Sequence, residues 1–178
     1  MEQRTAPSEA SFAARLDENK AILFKIAGSY SRSPAEREDL AQEIALQLWR
    51  SYPRFDESQR FSTWMYRVAL NTAISHLRRE ATHRTKVATG VALPEVAAPN
   101  DAGSKEEMLD LRRLIEELDP LNRALILLYL DDNSYETIAD VLGISTTNVA
   151  TKINRIKTKM RARLAPQQSA GKEPHGTR

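Results

Sequence analysis

One glycine between two stretches of helically spaced apolar residues limits the fold of this chain more than any other feature. In "SYETIADVLGISTTNVATKINRIKTK", Ser134 to Lys159, Ile138, Ala139 and Leu142 keep helical spacing before Gly143, and Val149, Ile153, Ile156 and then Met160 keep it afterwards. Gly143 supplies a left-handed corner, Ile144 plugs it and Ser145 caps the second helix. Small Ala139 allows a close crossing, and inward Val149 fixes the angle that exposes the start of the second helix. The pattern is that of a helix-turn-helix.

Charge gives the second helix a direction. Lys152, Arg155, Lys157, Lys159, Arg161 and Arg163 lie between Ser145 and Leu164 with no acidic residue among them. Such a face suits DNA phosphates, while Thr146, Thr147, Asn148, Thr151 and Asn154 offer uncharged donors and acceptors to base edges. A helical hairpin that merely packs would explain the apolar spacing but not the one-sided charge.

The rest of the chain divides by composition. Helical apolar spacing runs from Phe12 to about Arg84 and returns from Ser104 to Leu164, whereas "TKVATGVALPEVAAPNDAG" between them has no amphipathic period. No alternating run argues for a strand. The expectation is an all-α protein of two small helical domains, residues 12–84 and 104–165, with a flexible linker over 85–103 and a disordered tail over 166–178. Helices are predicted at 12–30, 35–51 and 62–82, and a further pair is divided at Asp119-Pro120, with Leu111, Ile115 and Leu118 before the break and Leu121, Leu125 and Leu128 after it.

Two stretches of the N-terminal half carry chemistry. The second helix starts at Ser33 and Pro34, buries Leu40, Ala41, Ile44, Leu48 and Trp49, and leaves Glu38, Asp39, Gln42 and Glu43 as an acidic patch. Spacing alone reads that patch as a solvated face. After a Pro-containing loop, a helix capped at Ser62 interleaves aromatic and basic residues: Phe55, Phe61, Trp64 and Tyr66 with Arg54, Arg60 and Arg67, then Arg78 and Arg79. Rings beside cations are what unstacked single-stranded bases need. Trp64, Val68 and Ala69 suit burial equally well, and Asn71 is either an exposed amide or a base-edge partner.

Three segments, "EDLAQEIALQLWRSYPRF", "FSTWMYRVALNTAISHLRR" and "SYETIADVLGISTTNVATKINRIKTKMRARL", stand in this order around the linker. Together they resemble the extracytoplasmic-function (ECF) sigma factors, of the sigma-70 family, which serve bacterial RNA polymerase. The resemblance implies two helical domains, region 2 and region 4, no catalytic activity, and promoter-specific initiation of transcription by reading the −10 and −35 elements. It implies that Asp39, Gln42 and Glu43, with Leu46 and Trp49 farther along the face, dock on the β′ clamp coiled coil of core polymerase. It likewise implies that Phe55, Arg60, Phe61, Trp64, Arg67, Asn71, Arg78 and Arg79 serve the −10 element, and that the loop over 53–60 receives a flipped-out base. Thr146, Thr147, Asn148, Thr151, Lys152 and Arg155 then read the −35 element, the linker follows the polymerase channel toward the RNA exit path, and the β subunit of core polymerase is a further partner. Many members are held by an anti-sigma factor, although no residue here shows such a partner. This chain departs from the common pattern in having one helix before Glu36 instead of two, and in Ala150 and Asn154, where many members have a basic residue and a histidine.

Composition excludes more than it identifies. Net charge is +2, so DNA binding depends on how charge is distributed. The absence of cysteine excludes disulfides and thiolate zinc sites. His76, His83 and His175 lack metal-ligand spacing, and no Gly-rich phosphate loop is present, so neither an enzyme nor a cofactor is expected. No apolar run spans a bilayer and "MEQRTAPSEASF" is not a signal peptide, so the expected location is cytoplasmic. A ligand-sensing regulator would need an input domain that "EDLAQEIALQLW" does not supply, and a passive scaffold leaves the basic helix unexplained.

Overall fold

The computed structural model describes residues 9–87 and 111–164 of the 178-residue chain. The described elements are α1 (Glu9–Tyr30), α2 (Pro34–Ser51), a 3-10 turn (Tyr52–Arg54), α3 (Phe61–Val87), α4 over 111–116, α5 (Pro120–Leu130), α6 (Tyr135–Leu142) and α7 (Thr146–Leu164). Among the described residues there is no strand and no helix long and apolar enough to cross a membrane.

Local chemistry sets most helix ends. Ser33 Oγ accepts the N–H of Glu36 at 3.2 Å, Pro34 opens α2, and Glu36 Oε2 reaches back to the N–H of Arg32 at 2.7 Å. Asp119 caps α5 through the N–H of Asn122 at 3.1 Å, and Ser134 caps α6 through that of Thr137 at 3.2 Å. Gly143 ends α6 at φ +66°, where an L side chain is disfavoured, and the next N–H, of Ile144, returns to Ala139 O at 3.1 Å. One expected cap is corrected. α3 begins at Phe61, with Trp64 N–H donating to Arg60 O at 3.2 Å, so Ser62 lies inside the helix.

α1, α2 and α3 pack pairwise into one lobe around Ile26, Leu40, Ile44, Leu48, Met65 and Leu70, none more than 1% exposed. α5, α6 and α7 form a second around Leu125, Leu128, Ile138, Val149 and Ile153, all fully buried. A buried side chain of this size stabilises its lobe by about 1.5–3 kcal/mol, so the apolar stripes hold the helices together. Inside α6 the buried set is Ile138, Ala139 and Val141, whereas Leu142, expected inward, is half-buried.

The lobes also pack on each other, α3 lying against α6 and α5, and their buried side chains form one connected cluster. Tyr30 donates its hydroxyl to Pro120 O at 2.7 Å, and Arg123 donates to Ser29 O at 2.8 Å while its guanidinium lies 5.2 Å from the Tyr30 ring centre. Burial pushes the Tyr30 hydroxyl well above the usual phenol range and pushes the Arg123 guanidinium down. α3 runs to Val87, past the end expected at 82, so the expected linker begins in helix. Its residues 88–103 and the expected tail lie outside the described residues.

Candidate nucleic-acid interface

Burial fixes one side of α7 and leaves the other to solvent. Val149 and Ile153 are fully buried and Ile156 is 4% exposed, which turns Thr146, Thr147, Asn148, Thr151, Asn154 and Arg155 outward and leaves Lys152 half-buried. Ser145 Oγ accepts the N–H of Asn148 at 3.2 Å and fixes the first turn. Thr151 donates its hydroxyl to Thr147 O at 2.9 Å, so toward a base it presents lone pairs only, a narrower role than donor and acceptor. Lys157 is not a free cation. Its ammonium lies 3.2 Å from the Tyr129 hydroxyl and 5.2 Å from that ring's centre. Arg163 pairs with Glu117.

α3 sorts the side chains expected at the −10 element. Arg67, Asn71 and Arg78 stand at i, i+4 and i+11 on one face, which Arg60 continues backward by seven residues. Asn71, Arg60 and Arg78 are exposed, while Arg67 Nη2 lies 2.7 Å from Asp140 Oδ2 in α6. Arg79 lies about a third of a turn away and pairs with Glu43 of α2.

The aromatic residues are mostly inside. Phe55 and Trp64 are 5% and 7% exposed, with ring centres 5.1 Å apart, and Tyr52 stacks on Phe55 at 6.0 Å. Rings covered on this scale are not open stacking platforms, whereas Phe61 is half-buried at the edge of the cluster, 5.6 Å from Phe55. The cluster holds the loop over 53–60. Phe55 N–H closes on Tyr52 O at 2.9 Å, Ser58 N–H on Asp56 Oδ1 at 2.9 Å, and Arg15 pairs with Glu57 at 3.1 Å.

On α2, Asp39, Gln42, Leu46 and Trp49 line one face, Leu46 and Trp49 being 45% and 40% exposed although apolar. Trp49, expected in both the apolar stripe and the docking face, sits at the rim with its ring 5.2 Å from that of Phe12. Glu43 is half-buried between α2 and α3. Burial raises the affinity of its carboxyl for a proton, but hydrogen bonds from Arg79 and His76 outweigh it and hold the group below its ordinary value.

His76 was not among the expected site residues. Its Nδ1 lies 3.1 Å from Glu43 Oε2, and its Nε2 lies 3.8 Å from Glu36 Oε1. The signal was present: His76 and Arg79, three apart, face Glu36 and Glu43, seven apart, on two antiparallel helices.

Comparison with known proteins closes on one family. The profile of sigma-70 region 2 matches residues 16–83, and that of sigma-70 region 4 matches residues 108–160. The ECF RNA polymerase sigma-E factor of Escherichia coli (strain K12) is 31% identical over 140 residues, 72% of this chain and 73% of that protein. The ECF RNA polymerase sigma factor SigW of Bacillus subtilis (strain 168) is 25% identical over 170 residues, 86% and 88% of the two chains. Among solved structures, the sigma factor RpoE in complex with the anti-sigma factor NepR from Bartonella quintana superposes with a TM-score of 0.73 at 22% identity, over 88% of this chain and 98% of that one. CnrH in complex with the cytosolic domain of CnrY gives 0.65 at 21% identity, over 90% and 91%.

Proposed function

Since the chain belongs to the ECF sigma factors of the sigma-70 family and directs promoter-specific initiation by RNA polymerase, we propose how its surfaces divide that work. The α2 face of Asp39, Gln42, Glu43, Leu46 and Trp49 docks on the β′ clamp of core polymerase. The α3 face of Arg60, Arg67, Asn71 and Arg78, with Phe61, meets the −10 element. Phe55 and Trp64 act there indirectly, by fixing the shape of the loop over 53–60 that receives a flipped base, and Arg79 enters from the flank.

The −35 element is read by α7. One observation carries this reading: Thr147, Asn148, Thr151 and Arg155 are exposed together opposite a buried Val149 and Ile153. Uncharged edge partners at the front of a helix with basic residues farther along match major-groove docking, in which phosphate contacts position and side chains at the base edges specify. The protein supplies no catalytic group of its own and works in the cytoplasm with the polymerase. An anti-sigma factor is a further partner, a reading supported by the RpoE–NepR pair.

The direct test is permanganate footprinting of a promoter by core polymerase with this protein. Asn71→Ala is expected to reduce thymine reactivity around −10 while core binding is kept. Unchanged reactivity would remove α3 from melting.

A further inference from the structure

Several side chains on the outward side of α7 are committed within the protein, which narrows the groups able to tell one base from another. Opposite buried Val149, Ile153 and Ile156, the helical period puts Thr147, Thr151 and Thr158 on one exposed line, with Asn154 on one flank and Asn148 and Arg155 on the other. Thr151 donates its hydroxyl to Thr147 O and Thr158 donates to Asn154 O, each at 2.9 Å, so both offer lone pairs only. Lys157 is held at Tyr129 and Arg163 at Glu117. The Asn154 amide is exposed and has no hydrogen-bond partner among the described residues, so its oxygen and its NH2 group are both available.

Resting on the assignment of α7 to the −35 element, we infer that Asn154 is a specificity residue for one adenine of that element. Its Oδ1 accepts a proton of the N6 amino group while its Nδ2 donates to N7 of the same base. Guanine presents two acceptors at that edge, so Oδ1 would face O6 with no proton between them. Thymine offers an acceptor and a methyl group, and cytosine a lone donor, so each leaves half of the amide unpaired. The neighbouring hydroxyls cannot substitute, because N7 requires a donor and Thr151 and Thr158 have already spent theirs. Asn148 stands six residues earlier, about 9 Å along the axis, so the adenine lies within about three base pairs of the base that Asn148 meets, at ~3.4 Å per pair. Many members of the family carry a histidine at this position, so the base is a property of this chain.

The test is transcription selection by holoenzyme, core polymerase with the full-length protein, over a promoter library randomised across the −35 element. Wild type is expected to favour adenine at one position by about five- to 150-fold over the other bases, and Asn154→Ala to flatten that position alone. Alanine is the better helix former and residue 154 is exposed, so lost folding does not account for the change. A second measurement places 7-deazaadenine, which lacks the N7 acceptor, at the selected position. Wild-type holoenzyme is expected to bind that promoter about two- to ten-fold more weakly than the one with adenine, whereas Asn154→Ala holoenzyme binds the two equally.

A base other than adenine at the position that Asn154→Ala flattens would overturn the inference. So would a uniform weakening of all sequences, which would place Asn154 on a phosphate. The reading of α7 is tested separately, by Asn148→Ala and Arg155→Ala in the same selection. If these shift −35 preference while the Asn154→Ala profile matches wild type, α7 reads the element and the adenine assignment alone is wrong. If all three profiles match wild type, the assignment of α7 fails and the inference falls with it.

Discussion

Tyr66 of α3 donates its hydroxyl to Asp131 Oδ2 in the other lobe at 2.5 Å, and Lys25 of α1 pairs with the second oxygen of the same carboxylate. One side chain thus fastens two helices of region 2 to the end of α5. Asp131→Ala leaves a buried phenol without its acceptor, so it is expected to cost about 1–3 kcal/mol in urea unfolding. A loss below about 0.5 kcal/mol, typical of a surface substitution, would mean that this carboxylate does not hold the lobes.

Alkaline pH should release the same contact. Burial pushes the phenol of Tyr66 well above its ordinary 10.0, and the hydrogen bond to Asp131 acts in the same direction. Below that value both folded and unfolded chains keep the proton and stability does not change with this group. Above it the unfolded chain releases the proton first, so stability falls as pH rises. Tyr66→Phe is expected to be less stable at neutral pH but to lose less between about pH 9 and 11. Parallel curves for the two proteins would exclude Tyr66 as a source of the alkaline limb.

The corner of the helix-turn-helix is a backbone requirement. A Cβ at Gly143 would meet nothing within 4 Å, yet φ is +66°, so Gly143→Ala should cost about 1–2 kcal/mol through conformation alone. Gly143→Asn is expected to cost less, because asparagine tolerates this region better. Thermal unfolding followed by circular dichroism checks the order, and an alanine variant as stable as wild type would contradict it.

Core and DNA roles within α3 separate by stability. Trp64→Ala removes a ring that is 7% exposed and is expected to cost about 3–5 kcal/mol, whereas Asn71→Ala should stay within about 0.5 kcal/mol. Both should impair promoter opening, the first through the loop it supports. Equal and small stability losses would return Trp64 to the surface.

The helix-turn-helix was legible because its determinants are local. Ser134, Gly143 and Ser145 act on backbone groups a few residues away, and the apolar stripe of α7 repeats at helical spacing. The contact between lobes was not legible. Asp131 meets Tyr66 and Lys25, and Asp140 meets Arg67, across 65 residues or more, and each reads in sequence as an ordinary surface charge. Phe55 and Trp64 lay between these cases, since an aromatic beside an arginine reads the same whether its ring is buried or open. The pairing of His76 shows only when α3 is laid against α2, because Glu36 and Glu43 lie on that other helix.

The central claim is that two separate surfaces read two promoter elements, and run-off transcription over a randomised promoter library, with core polymerase and this protein, tests it most directly. Wild type is expected to enrich two sequence blocks, one near −35 and one near −10. Asn148→Ala should change base preference in the upstream block alone, and exchanging residues 53–60 for the loop of another ECF sigma factor should change it in the downstream block alone. Enrichment of a single block, or both blocks moving with either change, would contradict the assignment of α7 and of the loop beside α3.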